Sequence, residues 1–296
     1  MKFFYLFLFL LAITLVSCFP TKQVNELKYY ANSAMEAGDY ISSLDIYKKI
    51  IQLHNDRNRD VESDIYLKAG LVAWKLNETS KTIDFLEKAK SDGDRSPEVY
   101  YILSKAYLEI DNLSREITNL EEYVDNYPQG MKINEAQNQL FIAYVKSRNW
   151  QLAAEMWPKV NPHFREQSKT LTARLKLLAE QGKDKESIDV ARKVIALDAQ
   201  NILALEVLAQ GYYQKAEENY TKEMRAYEQN RTMRQYRQLL KELEIINANF
   251  RTSRDYFEKL YELDPNPRYA NFLGNIYTRF DNKQRAEYFY RKARGE

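Results

Sequence analysis

At 296 residues, with 29% of them charged and a formal net charge of only +2, the chain carries no global field that would favour nucleic acid or an anionic membrane. Its 8 glycines and 7 prolines are too few turn-formers for an all-β protein of this length, so long helices joined by short loops are predicted. The 23 tyrosines supply an unusual number of large rings to pack between helices.

The first segment stands outside that fold. Met1-Lys2 is followed by an apolar run from Phe3 to Val16, long enough for a signal-peptide core and short for a spanning helix. Leu15-Val16-Ser17-Cys18 closes the run and resembles the bacterial lipoprotein box: an aliphatic residue, a tolerant position, a small residue and cysteine. That resemblance implies a signal peptide over 1–17, cleavage before Cys18, acylation of its thiol, and an acylated tether over 18–25. Cys18 is the chain's only cysteine, so no internal disulfide can form, and lipidation accounts for a lone thiol in an exported protein. An ordinary secretory signal that happens to contain a cysteine is the other reading. Two or three acyl chains hold stably, each buried CH2 contributing ~0.8 kcal/mol. Phe19 stands where proteobacterial lipoproteins retained in the inner membrane carry Asp, so the resemblance points to the outer membrane, facing the periplasm.

Residues 26–296 divide into helix pairs. Tyr30, Ala31 and Ala34 begin the first, Gly38-Asp39-Tyr40 turns, and Tyr47 and Ile50 follow, with Ser43 where alanine is usual. The second has Ala69, Gly70 and Ala73, a turn at Asn77-Glu78-Thr79, then Ile83, Leu86 and Ala89. Pro97 starts the third, with Tyr100, Leu103, Ser104 and Tyr107 before Ile117, Leu120 and Tyr123. In the fourth, bulky Phe141 takes a small-residue place, and Pro158 predicts a kink or an early stop. Leu171, Leu175, Leu178, Gly182, Ile188, Ala191 and Val194 mark the fifth. The sixth departs: Leu205, Leu208, Ala209 and Tyr212 are answered only at Phe250, Phe257 and Leu260. About 32 extra residues lie between, free of Pro and Gly. An extended helical hairpin over about 212–250 is predicted, an arm of ~24 Å turning near Gln229-Asn230. The seventh pair places Gly274, Tyr277, Ala286, Tyr290 and Ala293 around a turn at Asp281-Asn282.

Small then aromatic on one helix, and small, aromatic, small on the next, at a period of roughly 34 to 39 residues, resembles the tetratricopeptide repeat (TPR). Small residues let paired helices cross closely, and aromatics fill the space beside them. The resemblance implies an all-α, TPR-like helical-hairpin solenoid of about seven units with one extended arm. It also implies a non-catalytic scaffold for protein partners. In that family the free face of each first helix lines a groove for peptides. By spacing these positions are Asn32, Leu71, Trp74, Tyr101, Lys105, Asn138, Ile142, Lys146, Lys176, Tyr213 and Asn275, with Trp74 and Tyr101 as aromatic anchors. Lys28 and Asn32 resemble the start of a carboxylate clamp, but Leu67 and Leu71 stand where its next members belong, which excludes a chaperone-tail receptor.

On the arm, Arg231, Arg234, Arg237 and Lys241 recur every three or four residues with no acid among them and form a basic stripe. It meets lipid head groups, peptidoglycan carboxylates or an acidic partner, or else, more simply, pairs with Glu217, Glu218, Glu223 and Glu228 on the facing helix. No glycine-rich phosphate loop, nucleophile elbow or HExxH appears, and His54 and His163 lack ligand-spaced partners, so no metal, cofactor or catalytic residue is assigned. The surplus of positive charge is too small for nucleic acid. The functional expectation is a lipid-anchored scaffold in the assembly of an outer-membrane or secretion complex. The alternative is an accessory or ligand-binding subunit of an envelope enzyme or transport system. The last helix is expected to leave an apolar flank open, and self-association there or through the arm would cover it.

Overall fold

The computed structural model describes residues 19–296, so the predicted signal peptide and Cys18 lie outside the described residues. Its helices are α1 (Phe19–Glu36), α2 (Tyr40–Asn55), α3 (Ser63–Lys75), α4 (Thr79–Ser91), α5 (Pro97–Glu109), α6 (Leu113–Asn126), α7 (Ile133–Lys146) and α8 (Trp150–Met156). They continue with the one-turn α9 (Pro162–Arg165), then α10 (Ser168–Glu180), α11 (Asp184–Leu197), α12 (Ile202–Gln229), α13 (Met233–Leu263), α14 (Pro267–Arg279) and α15 (Lys283–Arg294). No strand occurs among the described residues. Apart from α9, the helices follow one another as seven pairs, as the period predicts. The segment read as a tether is already helical from Phe19 onward.

The chain forms two compact units, one up to Ala143 and one from Tyr144. The first is centred on Leu44, Tyr47, Ile50, Ile65, Ala69 and Val72, with Leu86, Val99 and Leu103 continuing the core. The second is centred on Phe250, Phe257, Leu260, Leu273 and Ile276, beside a cluster of Leu171, Leu175, Val194 and Leu208.

One turn closes six of the seven pairs. Gly38, Asn77, Asp111, Arg148, Gly182 and Asp281 all take positive φ, between 52° and 80°. The next N–H in each turn reaches back to a carbonyl in the helix just ended: Asp39 to Ala34, Glu78 to Ala73, Asn112 to Tyr107, Asn149 to Tyr144, Lys183 to Leu178 and Asn282 to Tyr277, at 2.9–3.0 Å. This is the Schellman arrangement, which satisfies carbonyls a helix end leaves orphaned. Asp39, Asn112 and Asn282 then cap the following helix through Oδ1. Arg148 is the residue least suited to its place, since its Cβ crowds the backbone there and it has no short polar side chain to compensate. Arg148→Gly is expected to stabilise the second unit by about 0.5–1 kcal/mol, read as a higher urea midpoint.

Close helix approach explains the small residues. A Cβ on Gly70 would stand 2.5 Å from Leu86 Cδ2, and one on Gly274 2.6 Å from the Tyr290 ring. Serine serves the same purpose at two crossings, with a bond added: Ser43 Oγ donates to the Ala31 carbonyl at 2.9 Å, and Ser253 Oγ to that of Ala209 at 2.8 Å. Phe141 is fully buried, so the first unit accommodates the bulk that its repeat position lacks elsewhere. Pro158 acts as predicted: α8 ends at Met156 and a single 3-10 turn, Trp157–Lys159, follows.

The arm is present. α12 has 28 residues and α13 has 31, where α10 and α14 have 13 each. The chain turns at residues 230–232, and Thr232 Oγ1 caps α13 by accepting from the Gln235 N–H. At the arm's base the Arg279 guanidinium from α14 lies 4.7 Å from both the Tyr220 and Phe250 rings and pairs with Glu217. The open apolar flank expected on the last helix is not there. Ala286 and Phe289 are buried, Phe289 stacking on Tyr277 at 5.7 Å, while Arg285, Glu287, Arg291 and Arg294 stand outside beside exposed Tyr288.

Candidate interaction surfaces

The first-helix positions fall into two sets. Asn32, Leu71, Trp74, Tyr101, Lys105, Asn138 and Ile142 belong to the first unit, and Lys146, Lys176, Tyr213 and Asn275 to the second.

On α3, Ala69, Gly70, Val72 and Ala73 are buried. At 100° per residue Leu71 and Trp74 therefore point the other way, and both are half-buried, with Leu67 one turn before them. Trp74 has no ring or cation partner among the described residues. Tyr101 is committed: its ring lies 5.7 Å from that of Tyr123, and its hydroxyl donates to Glu135 Oε2 at 2.6 Å. Lys105 Nζ lies 5.8 Å from the Tyr101 ring centre, and Lys132 Nζ donates to Glu135 Oε1 at 3.0 Å. Burial, and then the bond to Glu135, push the Tyr101 phenol up. Asn138 is buried at 9% exposure, which removes it from the accessible face on which spacing placed it.

Asn32 and Asn275 share a use that spacing did not reveal. Each side-chain carbonyl accepts from a tyrosine 15 residues on, Tyr47 at 2.7 Å and Tyr290 at 3.0 Å, tying the second helix of the pair to the first. Burial and the nearby Asp64 carboxylate push the Tyr47 phenol up to about 12, so it stays a donor. In the second unit, Lys176 Nζ sits 6.0 Å from the Trp150 ring centre, and Tyr213 packs edge-on against Phe250 and Phe272 at 5.7 and 5.0 Å.

Two polar links span one repeat. Lys28 Nζ donates to Glu62 Oε2 at 2.7 Å and Tyr101 to Glu135, each over 34 residues, so the repeat period itself was the signal for both pairs. The bond from Lys28 holds the Glu62 carboxyl below its ordinary value, and the bonds from Tyr101 and Lys132 do the same for Glu135. The sign follows from linkage: these carboxylates lend stability that is fully present above their unfolded value of 4.5 and is lost as pH falls through the folded values. Acidification from about pH 6 to about pH 3 is therefore expected to lower the first unit's urea midpoint. Glu135→Gln is expected to lose less over that interval than the natural chain does.

The basic stripe is not neutralised by the helix facing it. Arg231, Arg234, Arg237 and Lys241 are exposed, and among the described residues no salt bridge joins them to α12. Glu217 instead pairs with Arg279, and Glu223 with its neighbour Lys222 at 3.4 Å. The internally paired hairpin is thus corrected: Glu217, Glu218 and Glu223 bond elsewhere, and among the described residues no ion pair joins Glu228 to the stripe. His54 sits in the last turn of α2, its Nδ1 2.9 Å from the Asp60 carbonyl, and His163 lies edge-on to Phe164. Among the described residues no group of three or more His, Cys, Asp or Glu is placed to hold a metal ion, and no helix is long and apolar enough to cross a membrane.

An all-α array of helical hairpins joined by Schellman turns, small residues facing aromatics, is the architecture of a helical repeat protein. Residues 247–296, from the second half of α13 onward, match the tetratricopeptide-repeat family. The chain is similar to YrrB, described as a TPR protein with an unusual peptide-binding site, at 17% identity over 63% of this chain and 95% of that one, with a TM-score of 0.50. It is also similar to a TPR protein from Parabacteroides merdae, at 13% identity over 93% of both chains and a TM-score of 0.46. The C-terminal part of a TPR protein from Cytophaga hutchinsonii matches at 14% identity over 90% of this chain and 93% of that one, with a TM-score of 0.49. No curated protein matches the sequence. The fold is that of tetratricopeptide-repeat proteins.

Proposed function

We propose that the chain is a lipid-anchored scaffold of the bacterial cell envelope that holds a segment of a partner protein against the first helices of its repeats, in the assembly of an outer-membrane or secretion complex. The observation that carries the binding face is the pair Leu71 and Trp74. Two large apolar side chains are held half-exposed on the side of α3 that its packed face leaves free, and the indole has no ring or cation partner among the described residues. A partner's apolar side chain gains most at such a position, because the scaffold is already ordered and little side-chain freedom remains to be lost. Tyr101 and Lys105 extend the surface on α5, with the Tyr101 hydroxyl held by Glu135 so that the ring is set before a partner arrives. YrrB, which shares the fold, is described by its peptide-binding site. The anchor rests on the resemblance of Leu15-Val16-Ser17-Cys18 to the lipoprotein box, and the outer-membrane, periplasm-facing location on Phe19 following the cysteine.

A crosslinking pull-down from intact cells tests both parts. The natural chain should capture envelope proteins that a Leu71→Ala/Trp74→Ala form loses, and Cys18→Ala should release the protein from the membrane fraction. Unchanged capture by the double variant would remove the binding face from α3, and membrane association that survives Cys18→Ala would remove the anchor.

A further inference from the structure

The arm tip has a composition that the first-helix face does not need. From Thr221 to Gln238 no residue is buried, so this part of the hairpin contributes nothing to either core. Along α13, Met233, Tyr236 and Leu240 recur at three- and four-residue steps and are 69%, 41% and 46% exposed, with Tyr236 at the edge of this face where its ring meets Tyr227 of α12. Arg234, Arg237 and Lys241 run beside them on the same side of the helix, and Arg231 stands in the turn. Lys222 and Arg225 add charge from α12. Among the acids of this region Glu223 pairs with Lys222 and Glu242 accepts from Gln238, Glu228 is exposed in the last turn of α12, and Glu244 follows the stripe one turn on, so within Gln229–Lys241 the cations are uninterrupted by acid.

From this arrangement we infer that the tip of the α12–α13 hairpin docks on an anionic phospholipid surface. Charge complementarity selects the occupant. Cations flanking exposed, large apolar side chains on one helix face are what an interfacial helix presents, the apolar chains entering the acyl boundary while the cations remain among anionic head groups. Tyr236, with Tyr227 5.8 Å away, supplies amphipathic rings suited to head-group depth. A protein partner would be gripped by a concavity with desolvated anchors. No residue from Thr221 to Gln238 is buried to anchor one, and the depression along α12 between Glu217 and Gln229 is lined by charges of both signs, whereas anionic head groups meet the exposed cations of α13 directly. This inference is independent of the first-helix reading.

The test is co-sedimentation of the chain from Phe19, which carries every helix and both cores described above, with vesicles of phosphatidylcholine alone and with added phosphatidylglycerol. Binding is expected only to the anionic vesicles, weakening as salt rises. Arg234→Glu/Arg237→Glu should weaken it at least about tenfold, each charge near the surface being worth roughly fivefold. Met233→Ser/Leu240→Ser should weaken it while leaving the salt dependence in place. All four positions are exposed, and an unchanged thermal midpoint confirms that the fold is intact. Equal binding to both vesicle types, no binding to anionic vesicles at low salt, or full binding by the charge-reversed form would each overturn the inference. If vesicles fail and a photo-crosslinker at Arg237 captures an acidic protein instead, the stripe belongs to a protein interface.

Discussion

Phe257→Ala is expected to destabilise the second unit by about 3–5 kcal/mol, the largest effect of any single substitution considered for this chain. Phe257 has no exposed surface, stacks on Phe272 at 4.6 Å with the rings 11° from parallel, and lies 6.2 Å from the Tyr269 ring. Removing the ring leaves a cavity whose walls belong to α13 and α14, both fixed by other contacts, so little collapse can offset it. Because α13 is also the second strut of the arm, loosening is expected to spread to the arm before it reaches the first unit. Urea unfolding followed by helical circular dichroism measures the shift. A loss below about 1 kcal/mol would mean that the rings do not share a packed core.

Gly274→Leu is expected to cost about 1–3 kcal/mol or more by the opposite route, overpacking. The new Cβ would stand 2.6 Å from the Tyr290 ring, whose hydroxyl is bonded to Asn275, so the ring cannot simply swing aside. Tyr290→Ala in the same chain should recover part of the loss, because the two residues compete for one volume. Additive costs in that double variant would show that the glycine is needed for some other reason. The pair tests the small-against-aromatic rule on which the repeat assignment stands.

That rule was legible in the sequence because it is steric and local. Gly274 against Tyr290, the turn at Asp281-Asn282 and the overlong sixth pair all leave marks within one repeat, and the helices fall where those marks put them. What the sequence concealed is side-chain bonding. Nothing in the spacing separates an asparagine that offers its amide to a partner from one whose carbonyl is already taken, and Asn32 and Asn275 are both of the second kind. Asn138 is hidden for a similar reason: a first-helix face is accessible only where its neighbours leave it open. The arm misled in its electrostatics, since counting acids on α12 ignores where they point, and Glu217 turns to Arg279 on a helix some sixty residues away in sequence. The last helix misled through its flank, because Phe289 turns inward to Tyr277 and Tyr261.

The measurement that bears most directly on the scaffold reading is site-specific photo-crosslinking in intact cells, with the crosslinking residue placed at Trp74 on α3 or at exposed Glu122 on α6. A discrete adduct with a second protein from position 74, and none from position 122, is the predicted result. Adducts from position 122 alone, or of equal strength from both, would contradict a partner held on the first helices.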